Sequence, residues 1–250
     1  MYGKIPFKYT RTERVPVKVY GKRIDGKDVN YPWELLDIKP DFESYRGEEV
    51  EMEESKIDES GGPVHLGDNV KVRGSEIRGP AWIGRNCKIG PGALIRTGSI
   101  GENCKIGHSV EVKNSIFQRD TKVPHLSYVG DSVVGSQVNF AAGTKTANLR
   151  HDEAGIEVKM GRKEVDTGRR KLGAIVGDCV KTGIDTKLYQ GVVVGPYSFT
   201  HPGAEAVESL KPFRILRGRE NRKAGKEMMK SAFPGRKEQI DELWGKICAE

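Results

Sequence analysis

The side chains in this chain best suited to proton chemistry are its 5 histidines: His65, His108, His125, His151 and His201. An imidazole titrates near neutral pH, so it can take or give a proton, and it is also a common metal ligand. None of the five falls in a close pair, so a tetrahedral zinc site would need three of them brought together by stacking of distant segments. The 4 cysteines, Cys87, Cys104, Cys179 and Cys248, never form a Cys-x-x-Cys pair. That argues against a zinc ribbon or a disulfide framework and makes the cytosol the default compartment. The most informative stretch is Lys122-Val123-Pro124-His125-Leu126-Ser127-Tyr128-Val129-Gly130-Asp131. It is followed by Val138-Asn139-Phe140-Ala141-Ala142-Gly143-Thr144 and by Thr146-Ala147-Asn148.

What positions these residues is a repeat. Ile83-Gly84, Ile89-Gly90 and Ile95-Arg96 are spaced by six, as are Ile100-Gly101, Ile106-Gly107 and Val112-Lys113. Val134-Gly135 and Phe140-Ala141 continue the pattern, and Val176-Gly177, Thr182-Gly183, Leu188, Val194-Gly195 and Thr200 resume it. Leu66-Gly67 and Val72 open it. A period of six is neither the 3.6 of a helix nor the two of a strand. It fits short strands joined by turns, with one aliphatic side chain per hexad pointing inward and a following Gly freeing the backbone to turn. Three hexads make a triangular coil of about 18 residues, and stacked coils bury a continuous aliphatic ladder. The predicted fold is all-β: a left-handed parallel β-helix over residues 63–206. The repeat is interrupted at 149–172, which reads as a looped-out insertion with a hairpin tip at Gly161 and many basic residues.

At the His125 and Asn148 motifs the chain resembles the acetyltransferase half of the bifunctional glucosamine-1-phosphate acetyltransferase/N-acetylglucosamine-1-phosphate uridyltransferase family. Thr167-Gly168-Arg169-Arg170-Lys171-Leu172-Gly173-Ala174 resembles the archaeal sugar-phosphate nucleotidylyltransferases that carry such a half. The resemblance covers about residues 64–206, and Tyr31-Pro32-Trp33-Glu34-Leu35-Leu36 is similar to the junction that precedes the β-helix there. It implies acetyl-CoA as cosubstrate and an amino-sugar phosphate as acceptor. His125 would be the catalytic base that deprotonates the sugar amine. Asn148 would polarise the thioester carbonyl or steady the oxyanion. Tyr128 and Asn139 would contact the sugar phosphate, and Arg96, Lys113 and Lys171 would surround its phosphate, which needs two or three convergent cations. On the coenzyme side the resemblance points to Ala142, Ile184, Pro202 and Arg214. It also implies a homotrimer with sites at the subunit interfaces. The pattern departs from the family at Phe140-Ala141-Ala142-Gly143, at Lys145, at Ile184 in place of a Ser, and at His201-Pro202 in place of a small-residue pair.

The flanks are less patterned. Val15, Val17 and Val19 alternate and Asp25-Gly26 is a hairpin-turn signal, so residues 1–62 read as a hairpin, a short helix near Pro32 carrying Trp33, Leu35 and Leu36, and an acid-rich linker over 41–62. Residues 207–250 read as a basic tail ending in a helix whose Ile240, Leu243, Trp244 and Ile247 share one face. That face is expected to pack on the coil or on a neighbouring subunit. Composition excludes several classes. With 31 Gly and 12 Pro and only 36% hydrophobic residues, a helical bundle is ruled out. No apolar run suits a membrane span or a secretory signal. The net charge of +7 suits a protein that handles phosphates or coenzyme A. Nucleic acid is not the expected partner, because the basic segment Lys211–Arg236 lacks interleaved aromatics. Nucleotidyl transfer is not expected either, since residues 1–62 contain no Gly-rich phosphate loop. A separate nucleotidylyltransferase is the expected partner for that step. Two functions stay open: acetyl transfer, and a non-catalytic β-helix that binds sugar phosphates or scaffolds such an enzyme.

Overall fold

The aliphatic ladder is the axis of the molecule. In a computed structural model of the chain, which describes residues 4–8, 14–18, 31–37, 42–160 and 163–248, the repeat residues Leu66, Val72, Ile83, Ile89, Ile95, Ile100, Ile106 and Val112 are all buried in one continuous core. Each fully buried aliphatic side chain contributes about 1.5–3 kcal/mol relative to an exposed one. The strands around this core pair almost entirely in parallel, and the solenoid is a left-handed β-helix of about 10 turns. The coil is tighter than three hexads. Polar residues at one corner stack 17 residues apart, Asn69 onto Asn86 (3.2 Å), Asn86 onto Asn103 (3.0 Å) and Asn103 onto Asp120 (3.1 Å). Asn69, Asn86, Asn103 and Asp120 all have positive φ, a conformation that Asn and Asp tolerate better than other side chains. After the insertion the coil lengthens to 18, as in the Lys187–Glu205 rung.

Each coil presents three strips to the outside. The first runs through Leu94–Arg96, Glu111–Lys113 and Tyr128–Gly130. The second runs through Lys71–Arg73, Lys88–Ile89, Lys105–His108 and Lys122–His125. The third runs through Val64–Leu66, Gly98–Ile100, Val133–Val134, Ile175–Val176 and Val193–Val194.

The third face is closed by the chain itself. A 3-10 helix, Pro32–Asp37, lies over Glu111–Phe117 and Val133–Val134. Inside the insertion, strands Glu157–Met160 and Lys163–Asp166 form an antiparallel hairpin. Its expected tip at Gly161 lies outside the described residues, as does the Asp25-Gly26 turn. Strands Lys4–Lys8 and Arg14–Lys18, the latter holding Val15 and Val17, pair antiparallel. Ile156, Val158 and Met160 pack with Trp33 against Ile175 and Val193 in a second apolar cluster, and Arg169 pairs with Asp37. The insertion therefore folds onto its own chain.

The solenoid extends beyond 63–206 at both ends. The described part of the expected linker, residues 42–62, belongs to the solenoid: Tyr45–Arg46, Glu51–Glu53 and Lys56–Asp58 pair in parallel with the next coil. Glu51 and Glu53 point to solvent while Val50 and Ile57 pack on the core, so the acid-rich composition belongs to the outward positions alone. At the far end Arg214–Arg217 pairs in parallel with Phe199–Thr200, and Leu216 carries the core past residue 206. Two helices, α1 (Lys226–Ala232) and α2 (Lys237–Cys248), then cap the last coil. Ile240 is fully buried with Tyr197, Phe213 and Met229, and the Trp244 ring lies 5.1 Å from that of Phe213. Of the two surfaces expected for this helix, the coil of its own chain is the one it uses. Ile247 lies outside the described side chains.

Candidate functional site

Two constellations meet at one edge of the prism. The edge is where each strand of the second face turns into the first. His125 ends the strand Lys122–His125 and is exposed there, and Leu126, with a positive φ of 48° and 59% exposure, makes the corner. Ser127 Oγ donates to the His125 carbonyl at 2.7 Å, fixing the turn that starts Tyr128–Gly130 on the first face. His108 is the register partner of His125 one coil earlier. The same edge continues through the expected coenzyme residues. Asn139 is bridged to Lys122, so Ala142 follows His125 by one coil. Asp185 N–H then donates to the Ala142 carbonyl at 2.8 Å, and Gly203 N–H to that of Ile184 at 2.8 Å. His125, Ala142, Ile184 and Pro202 thus succeed one another along one ridge, and Ile184 is half exposed on it. Arg214 lies on the last parallel strand of the second face.

On the first face, beside that ridge, a polar hub forms around Asp131. This carboxylate is 3% exposed. It accepts from Asn114 Nδ2 at 2.7 Å and from Asn148 Nδ2, and Lys113 Nζ stands 3.7 Å away. Asn148 Nδ2 also donates to the Tyr128 hydroxyl at 3.2 Å. Burial first, and then the charges of Asp131 and Glu111, push the Tyr128 phenol above its usual pKa, so it stays protonated and its O–H remains a donor. Arg96, in register with Lys113, is paired to Glu111. Lys171 is bridged to Leu149 at the root of the insertion, and Leu172 N–H donates to the Asn148 carbonyl at 3.0 Å. The structure therefore brings together Arg96, Lys113, Tyr128, Asn148 and the backbone of Lys171. It does not bring Asn139 among them, because Asn139 lies on the second face between Lys122 and Lys181.

The geometry alters the part expected of Asn148. Both hydrogens of its amide are taken, one by Asp131 and one by Tyr128. What it can offer a ligand is its carbonyl oxygen, an acceptor for an N–H or O–H, and not a donor to an oxyanion. Asp131 itself, with Asn114 and Glu111, is a member of the site that the motifs do not single out. A signal for it exists in the sequence: Asn114, Asp131 and Asn148 follow one another at the same 17-residue step as the corner ladder of Asn69. Among the described residues no group of three or more His, Cys, Asp and Glu side chains could hold a metal ion, and no helix is long and apolar enough to cross a membrane.

The chain is similar to several known proteins. Residues 77–198 match the family model described as the GMPPB C-terminal domain. A bifunctional sugar-1-phosphate nucleotidylyltransferase/acetyltransferase of Sulfurisphaera tokodaii is 52% identical over 79 residues, 32% of this chain and 20% of that protein. The bifunctional protein GlmU of Methanococcus maripaludis is 52% identical over 73 residues, 29% of this chain and 18% of that protein. The solenoid is similar to the acetyltransferase part of GlmU-type proteins. The matched stretch is about a fifth of the length of these relatives. Among solved structures, an Arabidopsis UDP-N-acetylglucosamine acyltransferase superposes with a TM-score of 0.51 at 16% identity, covering 75% of this chain and 72% of that one. That likeness is one of fold.

Proposed function

We propose that this GlmU-like solenoid is an acetyl-CoA-dependent N-acetyltransferase acting on an amino-sugar 1-phosphate. The observation that carries the reading is the exposed imidazole of His125 on a ridge flanked by the Asp131 hub, where Lys113, Tyr128 and Asn148 converge. In this mechanism His125 takes a proton from the sugar ammonium or from the attacking amine, and the amine nitrogen adds to the thioester carbonyl. The Asn148 carbonyl orients the amine by accepting one of its hydrogens. A backbone N–H holds the oxyanion, and the intermediate collapses to the amide as the C–S bond breaks, the His125 imidazolium passing its proton to the departing thiolate so that the coenzyme leaves as its thiol. Lys113, Arg96 and Lys171 supply the cations for the phosphate, and the ridge residues Ala142, Ile184 and Pro202, with Arg214, line the coenzyme side. A cytoplasmic setting belongs to the same reading.

The decisive assay is thiol release from acetyl-CoA in the presence of glucosamine 1-phosphate, galactosamine 1-phosphate or their nucleotide-linked forms. No release above background with any of them would sink the reading. Lys113→Ala and Lys171→Ala should then raise KM for the sugar phosphate about 10-fold while leaving KM for acetyl-CoA and kcat nearly unchanged. A cation that binds phosphate equally in ground and transition states acts on KM. Equal loss against both substrates would point to a damaged fold.

A second reading keeps a specific observation in its favour. Lys113 and Arg96 are already paired to Asp131 and Glu111, as they would be in a β-helix that only scaffolds a separate nucleotidylyltransferase. The thiol-release assay separates the two.

The active assembly is proposed to be a homotrimer. The third face is closed by the chain's own Trp33 segment and hairpin, which leaves the ridge of His125, Leu126 and Ile184 for a neighbour. Light scattering at micromolar concentration should give three times the mass of the 27.7 kDa chain, and a monomer would overturn this.

A further inference from the structure

The first face stacks like charges in register too, Arg78, Arg96 and Lys113, but each has a carboxylate partner; the second face stacks lysines that, Lys71 apart, lack one among the described residues. Lys71, Lys88, Lys105 and Lys122 are register partners on four successive strands, so their Cα atoms stack at about 4.8 Å. Like charges directly opposite each other in a sheet are destabilising. Several other rungs pair opposite charges: Lys56 with Glu76, Arg85 with Glu102, Lys187 with Glu205. Lys71 is compensated by Glu51 at 2.6 Å. Among the described residues no carboxylate is within ion-pair distance of Lys88, Lys105 or Lys122. Glu102 and Asp120, on neighbouring positions of the same coils, are engaged by Arg85 and Arg119.

We propose that Lys88, Lys105 and Lys122 form a binding site for a diphosphate group. Three ammonium groups at this spacing span about 10 Å, which brackets the two phosphates of one diphosphate. The next outward positions on these strands are Gly90, Gly107 and Pro124, so no side chain larger than a proline ring separates the lysines from the His108–His125 ridge. Lys122 and His125 are three residues apart on one strand, about 10 Å between Cα atoms, a gap that the flexible four-carbon lysine stem can shorten toward the ridge. Among the described residues, the lysine strands Lys71–Arg73, Lys88–Ile89, Lys105–His108 and Lys122–His125 carry no Phe, Tyr or Trp for bases to stack on, which disfavours a nucleic-acid strand. The site rests on the acetyl-transfer reading only for the source of its ligand: either a nucleotide-linked amino sugar or coenzyme A brings a diphosphate.

The test is calorimetric titration with inorganic pyrophosphate. The wild-type chain should bind it, and the double variant Lys105→Gln/Lys122→Gln should bind about 10-fold more weakly, having lost two charge-assisted contacts. Lys187→Gln on the first face should bind as the wild type does. Steady-state kinetics then assign the source. A higher KM for acetyl-CoA in the double variant makes the coenzyme the donor of the diphosphate. A higher KM confined to the nucleotide-linked amino sugar makes it the acceptor. Unchanged pyrophosphate affinity in the double variant, or no affinity in the wild type, overturns the site. A chain that binds pyrophosphate through these lysines but acetylates no amino sugar sinks the catalytic reading and leaves the diphosphate site standing.

Discussion

His125→Ala should lower kcat for acetyl transfer by about 10²–10⁴-fold, the usual cost of removing a general base, while the melting temperature stays within a few degrees of the wild type. The second half of this expectation comes from the structure. His125 is exposed at the end of its strand, and the turn is held by its carbonyl, which accepts from Ser127 Oγ. An alanine keeps that carbonyl. Surface substitutions away from special features usually change stability by no more than about 0.5 kcal/mol. Activity and stability are therefore separable at this position, and a loss of turnover cannot be laid to unfolding. The measurement is single-turnover acetyl transfer beside a thermal melt of the same preparation. Turnover within a few-fold of the wild type would end the assignment of His125 as base, and would move attention to its register partner His108 on the same ridge.

How much of this is legible in the sequence depends on which residues set the geometry. Inward positions are chosen by one physical requirement, burial, so the hexad of Ile and Val places the core from sequence alone. The corner residues answer to a different requirement, positive φ with side chains bonded between rungs, and their period of 17 is hidden inside a nominal period of six. That ladder shortens the coil by one residue, and a second series at the same step, Asn114, Asp131 and Asn148, forms the hub. The first coil escapes the pattern because Glu48, Glu49, Glu51, Glu53 and Glu54 dominate its composition, although Val50 and Ile57 keep the inward positions. The motif residues Lys113, Tyr128 and Asn148 do meet in space. Their roles are less readable, since the hydrogen-bond direction of an amide is decided by partners outside its motif. The Asn148 amide donates to a carboxylate 17 residues away, and no spacing rule for a catalytic asparagine contains that acid. Asn139 matches its motif as well as the others do, yet it sits on another face of the same chain.

Asp131→Ala should be the most damaging single change on the polar side of the molecule, costing about 3–5 kcal/mol. That combines the loss of a buried acceptor for two amide donors, about 1–3 kcal/mol for each unsatisfied group, with the loss of the ion-pair partner of the partly exposed Lys113. Asn114 Nδ2 and Asn148 Nδ2 lose their acceptor and Lys113 Nζ its counter-charge at once. The position also has a positive φ of 49°, which disfavours alanine by roughly a further 1 kcal/mol relative to Asp or Asn. For a chain of this size about 1 kcal/mol moves the melting temperature by about 2–4 °C, so the combined loss of about 4–6 kcal/mol should lower it by roughly 8–24 °C. Asp131→Asn separates charge from hydrogen bonding. It keeps the shape, the tolerance of positive φ and one carbonyl oxygen for Asn114, but it leaves Lys113 without its counter-charge and sets an NH₂ group against one of the two amide donors. Its melting temperature should lie between those of the alanine variant and the wild type. Its KM for sugar phosphate should change more than its KM for acetyl-CoA, because the hub holds Lys113, Tyr128 and Asn148 and does not touch the ridge residues Ala142 and Ile184. If the alanine variant melts within about 2 °C of the wild type, the carboxylate is not the hub described above, and the positions of Lys113 and Asn148 must be held by the backbone of the coil alone.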